Sequence, residues 1–170
     1  MRKVIANSTP MIILSKIGEL EILKNLYGEI IIPRAVFKEV TRKNDLAKEK
    51  ILNSEWIKIL EVKDKSDRKI YQVKLHDGEV EVMMLAKEIS ADLLIIDDNA
   101  AKKTAKFLGF KVTGTLGILI KAKAEKIISE VRPILEKMLA EKFYISDEIK
   151  NLVLKTAGEK SLRSAENADD

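Results

Sequence analysis

Five short apolar runs punctuate the chain: KVIA (3–6), EIII (29–32), IKILEV (57–62), LLIID (93–97) and KVT (111–113). Each is too short for a helix, and their nearly continuous apolar character is that of strands covered on both faces, not of exposed antiparallel edges. Between the runs the pattern changes to helical spacing. In EVEVMMLAKEI, Val82, Leu85, Ala86 and Ile89 fall on one stripe. This alternation predicts an α/β protein, a three-layer α/β/α sandwich with a five-stranded, mainly parallel sheet and right-handed crossovers.

Local chemistry marks the boundaries. Thr9 before Pro10 reads as an N-cap followed by proline at the first helical position, and Pro33 opens RAVFKEV in the same way. Gly109 closes AKKTAKFL as a C-cap residue, and Thr115 caps LGILIKAKA. RPILEKMLAEKF and SDEIKNLVLKTAG read as two further amphipathic helices, and VKDKSDRK (62–69) as the interior loop. With no repeat or low-complexity tract, a single domain over residues 1–157 is expected. The polar stretch 158–170, GEKSLRSAENADD, reads as a disordered tail.

A chain of 170 residues can bury a full core without cross-links. It contains no cysteine, which excludes disulfides and thiolate metal sites, and its one imidazole is His76. Any metal must then be held mainly by oxygen. No apolar run reaches the roughly 18 residues that span a bilayer, and MRKVIANS lacks the apolar core of a signal peptide. A cytoplasmic protein without a membrane partner is therefore expected. The formal charge of +4, with acids concentrated in the tail, leaves the body of the chain mildly basic. That permits a nucleic-acid partner without requiring one.

The chemistry lies at the strand ends. In an open parallel sheet, ligands bind beyond the carboxyl ends of the strands, where strand order reverses. The first strand ends on Asn7 and the fourth on Asp97 and Asp98, while Glu39 and Glu79 are expected in the first turns of helices that start near the same edge. Hard oxygen donors of this kind suit Mg2+ or Mn2+, which activates water and neutralises charge on a phosphoryl group. Glycine-rich phosphate loops of the Walker and dinucleotide types are absent. Each acid also has a structural reading. Asp77 can be an N-cap with Glu79 a dipole-favoured first-turn acid. Glu39 stands among Lys38, Arg42 and Lys43 as a solvated acid would, and one of Asp97 and Asp98 can cap the following helix.

In order and spacing, NSTPMIILSKIGELEIL, YGEIIIPRAVFKEV, DGEVEVMMLAKE and LLIIDDNAAKKTAKFLGFKVTGTLGILIKAK resemble the PIN domain family, more closely its PIN-like subgroup from prokaryotes. The resemblance covers about residues 3 to 125. It implies a Mg2+- or Mn2+-dependent nuclease acting on single-stranded RNA, in many family members the toxin of a toxin–antitoxin pair. It also implies an acidic quartet carried here by Asn7, Glu39, Glu79 and Asp97 or Asp98, with Ser8 as the small hydroxyl residue beside the first corner. The departure is Asn7, which brings a carbonyl oxygen but no charge. Asn7 also suits a strand-to-helix turn, where its side chain can bond backbone N–H groups. Arg34, Lys102 and Lys103, which follow strand ends, are the candidate cations for an RNA backbone. The sequence is also compatible with two other functions. One is an RNA-binding protein that has lost turnover, which Asn7 favours. The other is a partner-binding protein whose C-terminal helices, 130–157, pair with another chain or a second copy.

Overall fold

The structure is a computed structural model and describes residues 2–161. The chain divides into two compact units, Met1–Thr115 and Leu116–Asp170. The first contains the sheet, whose strands are β1 (Val4–Ala6), β2 (Ile30–Pro33), β3 (Ile57–Leu60), β4 (Leu93–Ile95) and β5 (Val112–Thr113). All pairings are parallel, in the order β3-β2-β1-β4-β5. Together with its helices this is the expected α/β/α architecture. Val4, Ile5, Ala6, Leu94 and Ile95 are wholly buried, as strands covered on both faces must be. The chain runs outward from β1 through β2 to β3, then returns to place β4 on the other side of β1. Strand order therefore reverses between β1 and β4, and Asn7 extends that pairing by donating its N–H to the Ile95 carbonyl at 2.9 Å.

The helices of this unit are α1 (Ser8–Lys16), α2 (Glu21–Tyr27), α3 (Arg34–Val40), α4 (Leu46–Leu52), α5 (Arg68–Gln72), α6 (Asp77–Ile89) and α7 (Asn99–Phe107). α1 begins earlier than Thr9–Pro10 suggests. Asn7 occupies the N-cap position, so Pro10 lies third in the helix, where an N–H still has no intrahelical acceptor. α6 differs from a helix with one apolar stripe. Residues 78–86 are all buried, because α6 packs against β1, β2, α3 and α5. Asp77 is its first residue, not its cap. That position is held by His76, whose N–H donates to Glu79 Oε2 at 3.1 Å. α7 ends as expected, with Gly109 in the left-handed region at φ +89°.

The stretch 62–69 is a loop up to its last two residues, which begin α5. α4 is capped by Asp45, whose carboxylate accepts from Lys48 N–H at 3.2 Å. α8 (Thr115–Ala124) begins on Thr115, which is its first residue and not its cap. The second unit continues α8 and adds α9 (Arg132–Ala140) and α10 (Asp147–Thr156). Within it Glu159 accepts from Lys123 Nζ at 3.0 Å, Val131 N–H at 2.8 Å and Arg132 N–H at 3.0 Å. Of the expected tail, residues 162–170 lie outside the described residues. Among the described residues no helix is long and apolar enough to cross a membrane.

Candidate functional site

A cleft of about 870 Å³ opens at the carboxyl ends of β1 and β2. Asn7, Ser8, Glu39 and Glu79 line it together with Arg34, His76 and Asp77, as the strand-end rule requires. Asn7 is 6 % exposed, and its side chain makes no capping bond to α1. The purely structural use of this residue, as a turn side chain bonded to helix N–H groups, is therefore not found. Its Oδ1 lies 3.5 Å from the Ser8 hydroxyl.

Glu39 lies in the second turn of α3, not in the first. Its carboxylate is fixed from two sides. The Ser8 hydroxyl donates to its Oε2, and its carboxyl group rests on Gly78, where a Cβ would run into it. Gly78 is thus the flat seat that lets a side chain of α3 reach the N-terminal end of α6, whose exposed N–H groups favour negative charge. Glu79 follows Gly78 and is 8 % exposed. Burial first, and then the like charges of Asp98 and Glu39, push its carboxyl above the ordinary glutamate range, against the lowering effect of the His76 N–H bond. Among the described residues, no cationic side chain is hydrogen-bonded to Glu79, and its opposition comes from His76, through the backbone N–H and the charge of the ring.

The two aspartates after β4 have different surroundings. Asp97 accepts from Thr115 twice, from its N–H at 2.8 Å and from its hydroxyl at 2.6 Å. Asp98 caps α7 by accepting from Ala101 N–H at 2.9 Å, and its charge is the one that acts on Glu79. Neither is among the residues lining the cleft. Among the described residues no three Asp, Glu or His side chains are gathered into a ready-made metal cage. The donor set nevertheless fits a hard cation in kind. Asn7, Glu39, Glu79 and Asp98 offer only oxygen, and the mutual repulsion felt at Glu79 is what a divalent ion would relieve.

Of the cations singled out by sequence, Arg34 lines the cleft, paired with Glu61 at 3.2 Å and stacked over Phe37 at 5.7 Å. Lys102 instead stands against Gly114 beside Asp97, and Lys103 points outward from α7. The cleft draws its other cations from Lys16, Lys38, Arg42, Lys43, Lys65 and Arg68. Sequence reasoning missed these, and it also missed Glu81, which is buried and accepts from Ala35 N–H and from Arg68. The one available signal for Glu81 was a second acid two residues after Glu79 on a helix otherwise composed of core residues.

A parallel sheet with an acidic, cation-rimmed cleft at the carboxyl ends of β1 and β2 defines an α/β protein with a site open to an anionic ligand. The family model of the PIN domain matches residues 3–159, nearly the whole chain, and the protein belongs to that family. PIN domains have a nuclease-type fold and generally use divalent metal ions. No curated protein matches the chain.

Proposed function

We propose that this protein is a divalent-metal-dependent endoribonuclease that hydrolyses phosphodiester bonds of single-stranded RNA. The observation that carries this reading is Glu79, a buried carboxylate pushed up by its burial and by the charges of Asp98 and Glu39. A buried acid held near other acids is unfavourable for folding, and groups perturbed in this way in clefts are where function concentrates. Asn7, Glu39, Glu79 and Asp98 are the residues that would hold Mg2+ or Mn2+. When bound, such an ion supplies Lewis-acid charge stabilisation and makes water acidic enough to react at neutral pH. The chain's own contribution is positional. Ser8 and Gly78 fix the Glu39 carboxylate, and the cations of the rim take up the backbone phosphates. Asp97, bound to both polar groups of Thr115, serves the site as a frame for Asp98.

The test is cleavage of a labelled single-stranded RNA pool in Mn2+ by the wild type, Asp98→Asn and Glu79→Gln. Loss of at least a hundredfold in either variant is expected. Cleavage that persists unchanged in both would come from elsewhere and remove the site assignment. A toxin role within this reading predicts growth arrest on expression of the wild type but not of Glu79→Gln. A second function, RNA binding without turnover, is favoured by one observation: Asn7 gives the site an uncharged corner. It predicts salt-sensitive RNA binding with no cleavage in Mn2+.

A further inference from the structure

Glu81 lies two residues beyond Glu79 on α6 and is equally buried, yet its surroundings are different. Its Oε1 accepts from Ala35 N–H at 2.9 Å, in the first turn of α3, and its Oε2 accepts from Arg68 Nη2 at 3.2 Å. Arg68 opens α5, a helix of five residues that buries none of its side chains. Ile70 is 70 % exposed, and Val73 just beyond the helix is 79 % exposed. So short a helix has no stability of its own, and without an apolar face it depends on polar contacts. One of these, Lys87 to Asp67 at 2.9 Å, is largely exposed and contributes little. The other is the Arg68–Glu81 pair, with side chains 30 % and 11 % exposed, and both residues line the cleft.

We propose that Arg68 grips a backbone phosphate of the strand in the cleft and that Glu81 is its positioning residue. The inference rests on the ribonuclease reading in taking single-stranded RNA as the ligand. A guanidinium has five donors, and the bond to Glu81 engages Nη2, leaving others for a phosphate. Through its second oxygen Glu81 also holds the start of α3, the helix that carries Arg34 and Glu39. Charge alone gives Glu81 the opposite role, since a carboxylate in the cleft repels a polyanion. The sign of its effect on binding therefore separates the two.

The experiment is fluorescence anisotropy with a short dye-labelled single-stranded RNA, run over a range of salt without added metal. The proteins are the wild type, Arg68→Gln, Glu81→Gln and the double variant. Arg68→Gln is expected to weaken binding roughly fivefold and to reduce the salt slope by about one. Glu81→Gln is expected to weaken binding roughly threefold although it removes a negative charge, and to have no further effect once Arg68 is gone. In hydrogen exchange, the amides of residues 68–75 should exchange faster in Glu81→Gln while those of β1 and β4 do not. Tighter binding by Glu81→Gln, an equal effect in both backgrounds, or unchanged exchange at α5 overturns the role of Glu81. Wild-type protein that binds RNA no better than Arg68→Gln overturns the role of Arg68. Wild-type protein that binds no RNA at all overturns the ribonuclease reading and this grip with it.

Discussion

Glu79 in the first unit is buried and Glu159 in the second is mostly shielded, with 10 % of its side chain exposed, and the protein treats the two glutamates in opposite ways. Around Glu159, burial pushes the carboxyl up, but the Val131 N–H, the Lys123 ammonium and the Arg132 N–H outweigh it and hold the group below the ordinary range. Around Glu79, burial pushes in the same direction and Asp98 and Glu39 add to it, with only His76 in opposition, through its backbone N–H and its charge. A buried acid that serves structure has its charge answered. An acid kept buried within the field of other acids is retained against stability, and in the first unit Glu79 shares with Glu39 the cleft at the carboxyl ends of β1 and β2.

The largest break in this comparison is Glu159→Ala. It strands the Lys123 ammonium and two N–H groups, and should destabilise the protein by about 3 kcal/mol in denaturant unfolding. The pH dependence follows from the sign of the shift. With a lowered folded-state pKa, Glu159 contributes its stability in full above the ordinary glutamate range of about 4.3 and loses it as pH falls through the lowered value. Glu159→Gln should therefore flatten the acid limb of the stability curve.

Next in size is Gly78→Ala. The new Cβ meets the far end of the Glu39 side chain, which can swing aside, so the fold should change by less than about 1 kcal/mol while RNA cleavage falls by roughly tenfold. A loss of stability without a loss of activity would show that the position of Glu39 does not matter.

On stability alone, Glu79→Gln is a small effect of opposite sign to Glu159→Ala. It keeps an acceptor for the His76 N–H and removes the repelling charge, so without metal at neutral pH it should stabilise the protein slightly in denaturant unfolding. Because the folded-state pKa of Glu79 is raised, the wild type bears this penalty above the raised value and sheds it as pH falls toward the ordinary glutamate range. The gain from Glu79→Gln should shrink over the same window.

The strands were legible because parallel strands covered on both faces leave short apolar runs, and the five runs locate β1 to β5 to within a few residues. Their order was not legible, since pairing is a long-range property. α2 and α4 were missed although Gly28, with φ +78°, and the Asp45 cap mark their ends. Asn7, Ser8, Glu39 and Glu79 could be placed on one edge from strand ends and resemblance, and the cleft brings them together. The cations could not be placed in this way. Lys102 and Lys103 follow β4, but α7 directs them to Gly114 and to solvent, whereas Arg42, Lys43, Lys65 and Arg68 reach the cleft from loops and a short helix with no periodic signal. Glu81 was hidden for a related reason. Its partners, Ala35 and Arg68, are far away in sequence and near only in the fold.

The proposed roles of Asn7, Glu39, Glu79 and Asp98 are tested together by Mn2+ binding to the wild type beside Asn7→Asp, followed calorimetrically without RNA. Asn7 is buried, faces the cleft and is not consumed by capping α1. Its replacement by a carboxylate should tighten Mn2+ binding by roughly tenfold through added ligand charge. Binding in Asn7→Asp no tighter than in the wild type would contradict the placement of Asn7, Glu39, Glu79 and Asp98 around one divalent ion.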